Sequence, residues 1–377
     1  KRFIFARTMW DIMSGTDSPI LRRGTTRGGK NPGFTAHSCK RNGEHYVGGQ
    51  AMRTLTIEKN DAGQRLDKFI QKRFQTMPKS LLYKYIRTKY IKVNGKKCTA
   101  DTQLSEGDVL TLYIRDEFFE AKQERHYDFL KAPVKLDIVY EDENIILLDK
   151  KPGLIVHPDE NYHFDSLVSR LKHYLYEKKE YDPEKENSFA PALVNRIDRN
   201  TGGLVIGAKN AQALRVLNAK MKNREIKKYY LCLVHGRMKK KSGMLSGYAV
   251  KDEKKNRVEV RAKETDGSKE IKTRYTVLEE LPDNTSLLEI ELLTGRTHQI
   301  RAHLASIGHP LLGDRKYGRR ENSGSPFPYQ ALYSYKLIFD FKEECGLLDY
   351  LNGREFKAGR VPFLPPDFQL GGTVNYD

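Results

Sequence analysis

Apolar residues follow no period through residue 51 and become patterned abruptly at "MRTLTIEKNDAGQRLDKFI", residues 52–70. Leu66, Phe69, Ile70 and Phe74 recur at helical spacing. Leu81, Leu82, Tyr85 and Ile86 repeat it, with Pro78 and Ser80 where a helix start wants them. "IKVNGKKC" reads as a short strand entering an Asn94-Gly95 hairpin turn, and "EGDVLTLYI" as the closing strand. Two short helices and a strand pair predict a small unit over 52–115, too small to bury much by itself.

Residues 116–132 carry mixed charge and read as a linker. Beyond Pro133, "LDIVYEDENIILLDKKPGLIVHP" predicts two apolar strands around an acidic turn, then a turn at "KKPG". "FDSLVSRLKHYLYEK" and "AQALRVLNAKMKNREI" have the spacing of amphipathic helices. "GLVIGAKN" and "KKYYLCLVHGRM" read as strands, and "TRYTVLEEL" with "TSLLEIELLTG" as an alternating hairpin. "RTHQIRAHLASIG" predicts a helix of about three turns, stopped by Gly308 ahead of Pro310. Strands outnumber helices and short turns join several of them. The expected class is therefore α+β: a largely antiparallel mixed-sheet domain over 133–345 behind a small N-terminal domain. The Pro/Gly-rich segment 346–377 reads as a tail without chemistry.

Charge narrows the class of partner. The 377 residues carry a formal +18, with a pI near 9.5. Residues 1–51 hold eight glycines and the single tryptophan, and read as a non-native or disordered leader ahead of a natural start at Met52. That segment contributes +6, so the rest keeps +12. A surplus of this size favours a polyanion, most simply nucleic acid. No run approaches the roughly 18 apolar residues of a membrane span. Four scattered cysteines form no CxxC pair and suit a reducing cytoplasm. Within the small unit, seven bases and no acid lie between Lys79 and Lys97. Lys79, Lys84, Arg87, Lys89 and Lys92, with Arg65 ahead of them, are candidate phosphate contacts.

Candidate chemistry centres on "NRIDRNTGGL", residues 195–204. Asp198 stands between Arg196 and Arg199 and ahead of Thr201, Gly202 and Gly203. By itself this reads first as a surface Asp–Arg ion pair worth little. The second reading is an acid held ionised by arginines and ready as nucleophile or base. "LLTGRTHQIRAHLASIGHPLLGD" gathers Arg296, Thr297, His298, Gln299, Arg301 and His303. Helical spacing would let His298 and Arg301 share a face, whereas His298 and His303, five apart, do not suit a metal. No GxGxxG or P-loop is present, so no nucleotide cofactor is implied. Tyr230 falls in a predicted strand, facing away from Leu231 and Leu233.

"RLDKFI", "KSLLYKYIRTKYIKVNGKK" and "EGDVL" resemble the S4 RNA-binding domain. "YEDENIILLDKKPGLIVHP", "NRIDRNTGGLVIGAKN", "KYYLCLVHG" and "GRTHQIRAHLASIGHPLLGD", in that order, resemble the RluA-type pseudouridine synthases. The resemblance covers about 65–345. It implies isomerisation of uridine to pseudouridine in structured RNA, without cofactor or metal. The family's catalytic aspartate falls on Asp198, its base-stacking tyrosine on Tyr230 and the basic partner of the aspartate on Arg301, which would fix the carboxylate bidentately. Arg196 would help hold RNA opened around the flipped base, with Thr201, Arg296, His298 and Gln299 as further contacts. The family's usual H-R-L-D-x-x-T-S-G is altered here: Asn195 stands for the histidine, Ile197 for the leucine and Gly202 for the serine. With the S4-like unit in front, the resemblance points to 23S ribosomal RNA or a large-subunit precursor as partner and to a cytoplasmic monomer. A tRNA-directed synthase and a non-catalytic ribosome-assembly factor are the alternatives.

Overall fold

The computed structural model describes residues 38–41, 44–47, 50–120, 127–159, 164–365 and 368. Most of the leader lies outside them, but its end corrects the expectation of patternless chain. β1 (Ser38–Arg41), β2 (Glu44–Val47) and β3 (Gln50–Ala51) pair as a small antiparallel sheet.

The N-terminal module has the two predicted helices and hairpin strands, and adds an unpredicted leading strand. β4 (Arg53–Thr56) leads into α1 (Leu66–Arg73) and α2 (Lys79–Arg87). β5 (Ile91–Val93), β6 (Lys96–Lys97) and β7 (Val109–Leu112) complete a four-stranded sheet ordered β4-β7-β5-β6. Leu66, Phe69, Ile70 and Phe74 are buried, as their spacing requires. Asn94 and Gly95 both take positive φ, the conformation a tight two-residue hairpin needs. The module is fastened to the larger domain by polar contacts. Buried Asp61 accepts from Ser188 Oγ at 2.7 Å and Asn187 Nδ2 at 2.8 Å, and Asn60 Oδ1 accepts from Ala211 N.

The expected linker is partly built into the fold. It contains α3 (Glu117–Glu120) and a 3-10 turn at Asp128–Lys131, and buries Phe118 and Phe129. The larger domain then runs β8 (Ile138–Glu141), β9 (Ile145–Lys150), α4 (Leu167–Glu177), β10 (Ala192–Leu193), β11 (Gly202–Ala208) and α5 (Ala211–Lys222). It continues through β12 (Ile226–His235), β13 (Ser242–Asp252), β14 (Arg257–Arg261), β15 (Lys269–Leu281) and β16 (Thr285–Leu292). α6 (Gln299–Ser306), β17 (Leu332–Phe339) and β18 (Glu355–Lys357) close it. Eleven strands form one sheet ordered β14-β13-β15-β16-β12-β17-β11-β9-β8, with β10 beside β11 and β18 beside β17. Among the described residues, all of its strand pairings are antiparallel except β11 with β17. Strand alternation divides the core between two faces. Ile146, Leu148, Val205, Cys232 and Leu288 pack with α4 and α6 on one, whereas Ile145, Leu147, Leu204 and Ile206 pack with α5 on the other.

Two boundaries and one element differ from expectation. The domain does not end at 345, because Leu348, Leu351 and Phe356 are core residues and β18 pairs with β17. The β13–β14 hairpin had no counterpart in the predicted elements. Helix α6 starts only at Gln299, leaving Arg296, Thr297 and His298 in the preceding loop.

Candidate active site

Asp198 sits on the loop between β10 and β11, and three local devices hold that loop. Thr201 N donates to the Asp198 carbonyl at 3.0 Å, closing a turn. Asn195 acts as a surrogate strand neighbour for β11: its Oδ1 accepts from Ile206 N at 2.8 Å and its Nδ2 donates to Leu204 O. The "KKPG" turn locks onto the far side, with Gly153 N donating to Arg199 O at 2.9 Å. Lys150 is fully buried behind it and donates to the carbonyls of Lys151, Leu154 and Arg199. Burial pulls its amine down to about 7, while Asp198 and then Asp149 favour its charged form.

The glycine pair answers to a close approach between two strands. Here β11 runs against its only parallel neighbour, and a Cβ on Gly203 would stand 2.1 Å from Ser334 O. One on Gly202 would stand 2.3 Å from the Tyr333 ring. Gly203 also takes φ +111. Only glycine lets the backbones approach this closely as the chain leaves Asp198.

Arg301 reaches Asp198 from α6. Its Nη1 donates to Asp198 Oδ2 at 2.9 Å. This single bond corrects the bidentate expectation, because the guanidinium's fork belongs to another acid. Arg301 Nε and Nη2 donate to Asp314 Oδ2 and Oδ1 at 2.7 and 3.0 Å. Asp314 is wholly buried and also accepts from the backbone of Lys316 and Tyr317. Burial alone would lower Arg301, but Asp314 and then Asp198 hold it charged, above the ordinary arginine value. Asp314 therefore aims the arginine, and the arginine aims Asp198.

Tyr230, on β12, lines the same cleft of about 320 Å³, together with Arg196, Arg296 and His298. Its side chain shares a face with Cys232 and Val234, opposite Leu231, as strand alternation predicted. Burial pushes its phenol up, so the group presents a neutral ring beside Asp198. Arg196 and Arg296 are exposed at this cleft. Thr201 is buried behind it and accepts from Gln330 Nε2.

His298 lies in the loop before α6, yet its imidazole faces the same Asp198 oxygen as Arg301. His298 has φ +50, in the left-handed region that a non-glycine residue enters only when held there. Tyr317 is the hold: its hydroxyl accepts from Val258 N and lies 3.0 Å from His298 Nδ1. Burial lowers the imidazole below its ordinary value, and Nε2 stands 3.9 Å from Asp198 Oδ2. Gln299 shapes the loop from inside. Its Oε1 accepts from Arg296 N and Thr294 Oγ1, and its Nε2 donates to Lys272 O and Thr273 Oγ1. All four of its hydrogen-bonding positions are taken by protein groups, so it shapes the wall of the cleft that it lines.

On the N-terminal module, Lys79, Lys84, Arg87 and Lys89 are exposed, while Lys92 is half-buried over the Tyr113 ring. Arg65 is half-exposed but forked onto Asp67. Asp314 and Lys228, which also lines the cleft, were not singled out by sequence reasoning. Asp314 lay within the quoted "GHPLLGD", but nothing in its spacing linked it to Arg301.

With this geometry in place, comparison with known proteins defines the class. Residues 144–306 match the RNA pseudouridylate synthase family model. An uncharacterized RNA pseudouridine synthase of Mycoplasma genitalium is 34% identical over 317 residues, 81% of this chain and 96% of that one. The ribosomal large subunit pseudouridine synthase C of Vibrio cholerae is 32% identical over 288 residues, 76% of this chain and 85% of that one. Among solved structures, human RNA pseudouridylate synthase domain containing 1 is similar at 23% identity and a TM-score of 0.48, covering 62% of this chain and 86% of that chain. The chain belongs to the RluA-type family of RNA pseudouridine synthases, isomerases that modify RNA. Among the described residues, no helix is long and apolar enough to cross a membrane.

Proposed function

We propose that this synthase isomerises uridine in the large-subunit ribosomal RNA, 23S rRNA, with Asp198 as the reacting group. The observation that carries the assignment of Asp198 is its setting. It is a partly exposed carboxylate in a cleft, held by one N–H of an arginine whose other donors are fixed by Asp314. The target uridine must leave the helical stack to reach it, at a cost of a few kcal/mol. Exposed Arg196 and Arg296 and the basic N-terminal helix α2 offset that cost through phosphate contacts.

Isomerisation breaks the N1–C1′ bond, turns the uracil and joins C5 to C1′, so C5 loses a proton and N1 gains one. Asp198 serves either by attacking C1′ or by taking the C2′ proton. Arg301 keeps it charged and directed in both cases. The Tyr230 ring gives the detached uracil a flat surface. The ribosomal target is supported by the relatives named as large-subunit synthases and by the basic module in front.

Mapping pseudouridines in cells with and without the protein tests the target. Loss of one or more sites in 23S rRNA is expected. Loss confined to tRNA would overturn the ribosomal assignment. Tritium release from [5-³H]uridine RNA tests the chemistry, and a protein that releases none from any cellular RNA is a binding factor instead.

A further inference from the structure

Lys228 differs from neighbouring lysines that reach the opposite face of the sheet. Lys227, Lys336 and Lys220 each hold a carboxylate within 3.1 Å: Asp340, Glu289 and Glu225. The half-buried Lys228 amine donates to the Met221 thioether, at 3.5 Å. Sulfur is a weak acceptor. The charge that acts on this amine is repulsive, from Arg224, and burial and that repulsion both lower its pKa. Among the described residues no carboxylate pairs with it, and a half-buried cation without a counter-anion is unfavourable for the free protein.

Its location gives the reason to keep it. Lys228 is two residues before Tyr230 on β12, so the two side chains share a face, and both line the cleft with Asp198. The amine lies against the 294–298 loop, where a Cβ on Gly295 would stand only 3.7 Å from it. The carboxylate of the cleft, Asp198, is already matched by Arg301. The cations left over there, Lys228, Arg196 and Arg296, therefore call for an anion brought by the substrate. The uracil ring is neutral, whereas the phosphodiesters on either side of it are not.

We propose that Lys228 grips a phosphodiester adjacent to the extruded uridine, fixing the depth at which the nucleotide enters the cleft. This rests on the pseudouridine synthase reading of Asp198 and its ribosomal target, and adds a substrate-binding residue to it. Arg196 and Arg296 meet the RNA at the exposed mouth, and Lys228 meets it inside. Arg224 and the half-buried setting make Lys228 the cation whose charge is most improved by a bound phosphate.

The test uses the full chain and a transcript of 23S rRNA, with binding measured over a series of salt concentrations and isomerisation measured in parallel. Lys228→Met should weaken binding about tenfold at low salt and flatten the slope of log K against log salt by about 0.7–0.9, the signature of one lost phosphate contact. Lys228→Arg should restore most of both. The melting temperature of Lys228→Met should equal or exceed that of wild type, because an uncompensated cation is gone. A purely structural lysine would lower it. Unchanged affinity and slope in Lys228→Met, or a fall in kcat at unchanged affinity, would overturn the phosphate role. Isomerisation by wild type separates the two failures. If wild type converts the transcript while Lys228→Met binds identically, Lys228 alone is misassigned. If wild type converts no uridine in the transcript, the ribosomal reading fails and the inference fails with it.

Discussion

Two Asp–Arg pairs in this protein have the same chemistry and opposite construction. In the N-terminal module, Arg65 forks onto Asp67, which also accepts from Tyr83 Oη at 3.3 Å. There the acid is buried, at 2% side-chain exposure, and the arginine is 47% exposed. In the cleft the order is inverted: Arg301 is 8% exposed and Asp198 27%. Asp67 has both oxygens engaged. Among the described residues, the Asp198 side chain accepts only at Oδ2. An ion pair that buries its acid uses the carboxylate for structure. One that buries its arginine and fastens it from behind presents the carboxylate for use.

Exchanging the carboxylate for its amide separates these roles most sharply. Asp198→Asn should abolish turnover, by at least about a thousandfold, while RNA affinity stays within a few-fold, because the amide keeps the shape but not the reactivity. Single-turnover conversion alongside filter binding checks both numbers. Wild-type activity in this variant would refute the assignment.

The next effect lies one residue further back. Asp314→Asn should lower kcat by about a hundredfold, the scale of a misplaced catalytic group, with little change in KM. A variant whose KM rises at constant kcat would mean that Asp314 shapes RNA binding instead. Since Asp314 is buried, its melting temperature should be measured too, and activity compared well below it.

How much of this was legible in the sequence depended on whether period or motif carried it. Helices α1, α2, α4 and α5 announced themselves because each buries one face. Asp198, Tyr230 and Arg301 stood in ordered motifs, so their shared cleft followed from resemblance. The Asp314–Arg301 fork was not legible, because it joins a helix to a loop 13 residues on and such pairing has no spacing rule. Phe118, Phe129, Leu348 and Phe356 are core residues in segments without apolar period, so linker and tail looked empty. The start of α6 depended on the side chain of Gln299 turning back to Arg296 N, a tertiary preference invisible to helical spacing. Lys228 looked like one more lysine in a strand, since only the structure shows which lysines have found an acid.

The N-terminal pair should respond in the other currency. Asp67→Asn is expected to cost about 2 kcal/mol of stability, because it leaves the Arg65 fork and the Tyr83 hydroxyl without their charged acceptor. Turnover per folded molecule should be unchanged. Denaturant unfolding and the isomerisation assay give the two readings, and a large loss of turnover with intact stability would erase the distinction between the pairs.

A third carboxylate extends the comparison to pH, with no effect expected at neutrality on protonation grounds. Burial alone would raise Glu141, but hydrogen bonds from Lys178, Lys209 and Tyr174 bring it down to about 2 from its ordinary 4.5. A carboxyl depressed in the folded state stabilises fully above its unfolded value, and that contribution disappears as pH falls through the folded one. The stability from Glu141 should therefore hold above about pH 4.5 and fade between 4.5 and 2. Glu141→Gln should melt below wild type at pH 6, and the gap should close as the two are compared in progressively stronger acid. A gap that stays constant down to pH 2 would mean that Glu141 acts through its shape and neutral hydrogen bonds, and that its lysines contribute nothing as charges.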